Sequence, residues 1–302
     1  MTAGGPRRRF LIIRNRHAGL ANRRLVRAVA TELAARGGAA RLIETERAGE
    51  LDDALAGAAD FDAICAAGGD GTLRALAKAI TGTAAAARPL ALIPSGTGNV
   101  MACELDIPRD APGIADMLLH GPVRPIAGGR ANGELFLSMC GAGFDGEVVA
   151  HLASRLKERI GRAAYTAPVL HALKARPIPF TATIDGVLKR ATWLVVSNVR
   201  HYGGRFIIAP GADVSTPGLH AAVMTATTRT GRIAELLAIA ARDPARCRTV
   251  EIVPCRTVVI EPPIALPLEI DGDVLGRGPL SIETVDRAID MIVPRARGSH
   301  SR

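Results

Sequence analysis

Ala66-Ala67-Gly68-Gly69-Asp70-Gly71-Thr72 is a glycine-rich turn with a single carboxylate, set between two apolar segments of different period. Before it, Phe61-Asp62-Ala63-Ile64-Cys65 is a short apolar run with the character of a buried parallel strand. After it, Leu73, Leu76, Ala77 and Ile80 recur at the spacing of one helix face. Glycines at such a junction let the backbone pass close to a ligand. The start of the following helix offers unpaired N–H groups and the positive end of a dipole, which suits a phosphate. A carboxylate beside a phosphate site implies Mg²⁺ between the two. A plain turn closing an α/β unit, with Asp70 as helix cap, gives the same local pattern, and both readings stand at this point.

Working outward, the same alternation repeats. Phe10 to Ile13 reads as a first strand, followed by the polar loop Arg14 to Gly19. Leu25, Val26, Val29 and Leu33 place a helix over 22–36, stopped by Gly37-Gly38. Leu42-Ile43 is a second strand, Glu44-Thr45-Glu46 its exit, and a helix is expected over 49–58. Leu90 to Ile93 is a fourth strand, feeding Pro94-Ser95-Gly96-Thr97-Gly98-Asn99 and a helix from Val100 to Glu104. Such alternation argues for a doubly wound parallel sheet, with ligands at the carboxyl ends of the strands. The loops at 14–19, 44–46, 67–72 and 94–99 would share that edge. Near Gly121 the rhythm changes to a series of β-type runs, which predicts a mostly antiparallel β-sandwich. Helical segments near 146–175 and 230–242 interrupt it. Pro125, Gly128 and Gly129 mark the junction, giving domains of 1–125 and 126–302. The tail after Pro294 is expected to fray.

Composition narrows the function classes. The chain has 302 residues, 48% hydrophobic and only 3% aromatic, with a net charge of +9. A sizeable core can form, anions are attracted, and base stacking is poorly supplied, which argues against a nucleic-acid partner. Five cysteines, none in a CxxC pair, fit free thiols in a reducing compartment and give no zinc signature. The basic N-terminus precedes an apolar run too short for a signal sequence, and no run approaches a membrane span. A cytoplasmic protein, peripherally associated with the inner membrane surface, is expected.

The motifs taken together resemble the diacylglycerol kinase catalytic-domain family, the bacterial diacylglycerol and sphingosine-type lipid kinases. Gly68 to Thr72 matches its first glycine turn, and Pro94 to Pro108 closely resembles its GT(A/G)N loop and helix. Asn15 to Gly19 looks like its N-P-x-A-G loop with Arg16 in place of proline, and Gly141 to Asp145 like its G-x-G-F-D turn. Leu156-Lys157 through Gly161 and Tyr165, then Ser197-Asn198 with Gly203-Gly204 and Ala209-Pro210, follow in the family order. Ile270-Asp271-Gly272-Asp273 sits where the family writes D-G-E. The resemblance spans roughly residues 10–290. It implies a nucleotide-binding α/β domain followed by a β-sandwich lipid-substrate domain, with the site in the cleft between them. It further implies an ATP-dependent lipid kinase that transfers the γ-phosphate to a primary hydroxyl of a diacylglycerol-, sphingoid- or ceramide-like lipid. ATP would be held by Asn15, Thr45, Gly68, Gly69, Asp70, Gly71, Thr72 and Thr97. Mg²⁺ would be held, partly through water, by Asp70 and Asp145, and Asp273 would be the base.

The residues support that chemistry on their own terms. The chain has no G-x-x-x-x-G-K-[ST], so backbone amides, the hydroxyls of Thr72 and Thr97, and a metal must do the work of a P-loop lysine. Phosphoryl transfer asks mainly for positioning and charge neutralisation. Asp145 also reads as the cap of the helix after it, and Asp273, without the resemblance, as a turn residue. Asp271 rivals Asp273 as base; one of the two should face the site and the other cap backbone. Three positions depart from the family. Asp273 replaces its glutamate, Ala75 replaces a common acid, and Pro217-Gly218 stands where Asp-Gly commonly holds a structural Mg²⁺, leaving Asp213 as the nearby acid. A kinase of a soluble acceptor similar to NAD kinase, and a non-catalytic nucleotide-binding regulator, are the alternatives. The expected partner is a lipid substrate at the membrane surface, with a homodimer left open. Leu152, Leu156, Ile160 and Ala163 beside Arg155, Arg159 and Arg162 form a stripe suited to an anionic membrane or to packing on the domain itself.

Overall fold

Four short apolar runs form the parallel strands β1 (Arg9–Asn15), β2 (Ala39–Thr45), β3 (Ala63–Gly68) and β4 (Leu90–Pro94), in the order β2-β1-β3-β4. In β3 and β4 every residue is buried, as expected of strands covered on both faces. The computed structural model describes residues 6–16, 20–46, 48–96, 98–155, 172–173, 177–262 and 265–295. These fall into two units, one of Met1–Pro125 with Ile289–Arg302 and one of Ile126–Ala288.

In the first unit β2 lies on one side of β1 and β3 on the other, so the winding reverses between β1 and β3. Strand register aligns Asn15 with Thr45, Arg14 with Ala67, and Gly68 with Pro94. The carboxyl ends of all four strands therefore form one edge, at the switch point where such sheets bind ligands. Helix α1 (Leu20–Ala35) buries Val26, Val29 and Leu33. The helix expected over 49–58 is cut down to α2 (Leu51–Ala54), because the left-handed Gly57 (φ +76°) turns the chain into a 3-10 segment, Ala58–Asp60. Helix α3 (Asp70–Ile80) buries Leu73, Leu76, Ala77 and Ile80, the face its spacing predicts. After α4 (Val100–Glu104) comes α5 (Ala111–His120), which the sequence reading passed over. Asp110 caps it on the Gly113 N–H (2.8 Å), Pro112 occupies its first turn, and Ile114, Met117, Leu118 and Leu119 are buried.

The second unit is a sandwich. One face is an antiparallel sheet in the order β14-β13-β10-β7-β16-β17. The other draws on the antiparallel pairs β5–β6, β8–β9 and β15 with both β8 and β18. In chain order these strands are β5 (Val123–Ala131), β6 (Glu134–Phe136), β7 (Met139–Gly143), β8 (Phe180–Ile184), β9 (Val187–Ala191) and β10 (Trp193–Ser197). The short β11 (His201–Tyr202) and β12 (Phe206–Ile207) follow, then β13 (Leu219–Met224), β14 (Val250–Cys255), β15 (Thr257–Ile260), β16 (Leu266–Ile270), β17 (Asp273–Gly278) and β18 (Leu280–Ile292). Phe136, Phe180, Val258 and Leu280 from one face pack against Leu194, Val196, Leu219 and Leu268 from the other. Helix α6 (Phe144–Arg155) follows β7, and α7 (Arg229–Ala240) follows β13.

Gly128 and Gly129, just past the division between the units at Pro125, lie inside β5, and a Cβ on Gly129 would stand 2.3 Å from the Phe136 ring, so the glycine makes room for the ring. One boundary expectation changes. The chain end at 289–302, expected with the second domain, belongs with the first unit, where Met291 pairs in parallel with Leu90 and Ile292 and Val293 are buried. The predicted basic and apolar stripe from Leu152 to Ala163 lies, in its side chains, outside the described residues, as do the match at 156–165, Thr97 and residues 17–19.

Candidate active site

The first unit brings its two glycine loops into contact. The Ser95 N–H donates to the Gly68 carbonyl (2.9 Å), and a Cβ on Gly96 would lie 2.5 Å from the Gly69 Cα. Only glycine permits that approach. Asp70, the first residue of α3, then locks the pair: its Oδ2 accepts from the Val100 N–H and its Oδ1 from the Met101 N–H, each at 2.9 Å. The carboxylate thus caps α4 across space, satisfying orphan donors of a helix start. Burial raises the Asp70 pKa above its ordinary value, with the Met101 and Val100 amides pulling against it. Asn99, left-handed at φ +48°, donates from Nδ2 to the Gly96 carbonyl (2.5 Å) and turns the second loop into α4. Thr72 rests its side chain where a Cβ on Gly68 would be, 2.2 Å from Oγ1.

Asn15 and Thr45 stand side by side at the ends of β1 and β2, with Thr45 buried. The structure therefore gathers Asn15, Thr45, Gly68, Gly69, Asp70, Gly71 and Thr72 on one strand edge. Asn22, which sequence reasoning missed, is buried and ties α1 to the end of β3 through the Ala67 carbonyl (3.2 Å). Arg14 is buried and paired with Glu44 (2.8 Å) at the same edge.

In the second unit Asp145 sits in the first turn of α6, 4% exposed. Tyr202 donates its hydroxyl to Oδ1, while Oδ2 is buried and accepts no hydrogen bond among the described residues. Burial pushes the Asp145 carboxyl up to about 6, opposed by the Tyr202 hydroxyl, the Trp193 indole nearby and the Arg232 charge. A Cβ on Gly141 would stand 2.7 Å from Asp145 Oδ2 and 2.9 Å from Glu269 Oε1, so these two buried carboxylates converge over a glycine. Glu269 turns its other oxygen to the Gly272 N–H (2.9 Å).

Around them Arg232 lies over the rings of Phe144 (5.3 Å) and Trp193 (5.2 Å), pairs with Glu235 (3.0 Å) and donates to Thr192 Oγ1 (2.8 Å). Gly143, Phe144, Ile178, Arg229, Arg232 and Leu266 are among the residues lining a recess of about 60 Å³ in this unit. Sequence reasoning missed Tyr202, Trp193, Arg232, Glu235 and Glu269. A signal was present for two of them: a chain with one tryptophan and two tyrosines places one of each beside Asp145.

The neighbouring carboxylates divide sharply. Asp271 and Gly272 (φ +48° and +83°) form a two-residue hairpin turn between β16 and β17. The Asp271 carboxylate accepts from the backbone N–H groups of Leu137 (2.9 Å), Ser138 (2.8 Å) and Met139 (3.0 Å). Its role is to hold the start of β7. Asp273 begins β17 and is half-buried, in an extended strand rather than in the turn itself. Asp213 is exposed and bound in its own local turn, accepting from the Ser215 N–H (2.9 Å) and the Thr216 hydroxyl (3.4 Å). Among the described residues no three metal-ligating side chains gather, at Asp213 or elsewhere. No described helix is long and apolar enough to cross a membrane.

Comparison with known proteins agrees with this geometry. The diacylglycerol kinase catalytic domain matches residues 9–131, and the YegS C-terminal NAD kinase beta sandwich-like domain matches residues 138–293. A diacylglycerol kinase of Mycobacterium tuberculosis is 31% identical over 252 residues, covering 80% of each chain. A diacylglycerol kinase of Bacillus subtilis is 35% identical over 162 residues, 52% of each chain. A crystal structure of a diacylglycerol kinase from Bacillus anthracis shares the fold with a TM-score of 0.74 at 23% identity, over 96% of this chain and 98% of that one. Fold and matches together define a phosphotransferase with an alcohol group as acceptor. More narrowly, the chain belongs to the diacylglycerol kinase and YegS-like lipid kinase family.

Proposed function

We propose that this kinase uses Mg²⁺-ATP to phosphorylate a primary hydroxyl of a diacylglycerol-, sphingoid- or ceramide-like membrane lipid. The observation that carries the reading is the edge on which Asn15, Thr45 and the two glycine loops meet, closed by Asp70 on the amides of α4. An edge of backbone donors and hydroxyls suits the phosphates of a nucleotide in a chain that lacks the P-loop lysine.

The donor set fits magnesium, which takes oxygen ligands. Asp145 Oδ2 is a buried carboxylate oxygen with no hydrogen-bond partner among the described residues, and the Asp70 oxygens keep lone pairs beyond the N–H groups they accept. Asp70 and Asp145 are the residues that would hold the ion, in part through water. The bound ion would neutralise charge on the transferring phosphoryl group. Tyr202 orients Asp145 through Oδ1. Asp273 would orient the acceptor hydroxyl and take its proton late, directly or through one water. A carboxylate is too weak a base to remove an alcohol's proton beforehand. Asp271 is committed to three backbone amides, which gives it a structural role.

The test is transfer of label from γ-labelled ATP. The chain is incubated with Mg²⁺ and a total lipid extract in detergent micelles, and in parallel with NAD as a soluble acceptor. Label in an organic-phase product identified by mass spectrometry is the expected result; label in NAD alone would replace the lipid acceptor with a soluble one.

A further inference from the structure

α7 buries the charged residues Arg232 and Glu235, together with Ile239. A surface helix ordinarily turns its apolar stripe inward and its charges to solvent. Between Thr230 and Ala241 the charged residues are Arg232 and Glu235, and both are buried and paired with each other at 3.0 Å. The outward stripe, Thr230, Ile233, Ala234, Leu237 and Ala241, has no charge at all. Ile233 is 44% exposed and Leu237, one turn on, 64% exposed.

The ends of this face are basic. Arg229 opens the helix, and Arg242, Arg246 and Arg248 follow it, all exposed. The acid in this flank is Asp243, which pairs with Arg246 at 2.7 Å. An uncharged aliphatic stripe bordered by arginines is complementary to one kind of surface in particular: acyl chains beneath anionic headgroups. A protein partner would need an apolar patch ringed by acids. Arg229 also lines the apolar recess with Phe144, Ile178 and Leu266, so the exposed stripe adjoins that recess.

We propose that α7 docks the protein on an anionic lipid bilayer, Ile233 and Leu237 entering the acyl boundary while Arg242, Arg246 and Arg248 meet headgroup phosphates. The proposal rests on the lipid-kinase reading for its purpose, and its test separates the two.

The full chain is sedimented with vesicles of phosphatidylcholine alone and with phosphatidylglycerol added. It is compared with an Ile233→Ser, Leu237→Ser variant and an Arg246→Gln, Arg248→Gln variant, each shown to be folded by its thermal melt. Transfer to detergent-dispersed lipid is measured on the same samples. Wild type should bind the anionic vesicles, less so as salt rises. The serine pair should weaken binding at least about tenfold, from the apolar area lost. The glutamine pair should weaken it about fivefold per arginine and flatten the salt dependence. Transfer in micelles should be unchanged in both. Equal vesicle binding by wild type and the serine pair overturns the proposal even if transfer is intact, as does wild type that ignores anionic vesicles. If the serine pair turns a dimer into a monomer with vesicle binding unchanged, the face belongs to a second copy and the proposal fails. If wild type transfers phosphate to no lipid yet binds vesicles through α7, the docking surface stands and the lipid-kinase reading falls.

Discussion

Both oxygens of Asp70 accept a backbone N–H from the first turn of α4, so the side chain proposed to hold a metal also closes one glycine loop on the other. Asp70→Ala should therefore abolish transfer and also lower stability by about 1–2 kcal/mol, the scale of a lost cap. A urea titration beside the transfer assay checks it; full stability with full turnover would remove both roles. Asp145 adds a pH signature. Burial holds its folded pKa at about 6, against 3.8 ordinarily, so the unfolded chain loses its proton first. Between those values the folded state binds the extra proton, and stability falls as pH rises, then levels above pH 6. In magnesium-free buffer, Asp145→Asn should erase that slope and melt higher than wild type at neutral pH. An unchanged slope in a melting series against pH would show the carboxylate to be ionised through the window. Asp273→Asn should lose at least ~10²-fold in turnover with ATP affinity little changed. Asp271→Asn should instead cost about 1–3 kcal/mol of stability, because its oxygens serve three amides. Turnover of each variant set against its melting point distinguishes the two carboxylates.

The elements show which local signals were sufficient. Asn132-Gly133, Asp185-Gly186 and Asp271-Gly272 are each two residues long, left-handed at both positions, and each joins paired antiparallel strands. This is the turn that Asn-Gly and Asp-Gly favour between right-twisted strands. In all three the side chain then accepts from the backbone of a distant strand, as Asp185 does from Arg256 and Thr257. The glycine loops obey a stricter rule. Because a Cβ on Gly96 would stand 2.5 Å from the Gly69 Cα, Gly96→Ala must push the loops apart. Nucleotide affinity should drop at least about tenfold, since donors displaced by as little as 1 Å lose their aim. Calorimetric titration with Mg²⁺-ATP measures it, and an unchanged affinity would place the nucleotide away from this edge.

At the scale of the molecule, the chain leaves the first unit at Pro125 and returns to it at Ile289. The returning segment is small but buried: Ile289 is 6% exposed, Met291 and Ile292 0%, and Val293 3%. Four such side chains are worth about 1.5–3 kcal/mol each on burial, a sum comparable with the whole stability of a domain, about 5–15 kcal/mol. A chain ended at Ala288 should therefore lose the first unit's melting transition and its nucleotide binding. Differential calorimetry against the full chain checks this, and two intact transitions would show the segment to be dispensable.

The sequence by itself determined the architecture and the family. The period of apolar residues changes from regular helix–strand alternation to mostly strand near Gly121, and that period is a local property of the chain. It also determined where the glycine loops fall, since Gly68 to Thr72 and Gly96 to Asn99 must each follow a buried strand. Even α5 was legible in Asp110-Ala111-Pro112, a cap and a first-turn proline. What tertiary structure decided was the partner of each polar side chain. Asp70 reaches α4 thirty residues on, Tyr202 reaches Asp145 across fifty-seven, and Asp271 anchors amides more than a hundred and thirty residues back. The same holds for α7: its periodicity marks two faces but cannot say which is inward when Arg232 and Glu235 can bury one another's charge. Propensity and period are set by neighbours a few bonds away, whereas a buried polar group takes whichever partner the packed chain presents, and that choice exists only once the fold has closed.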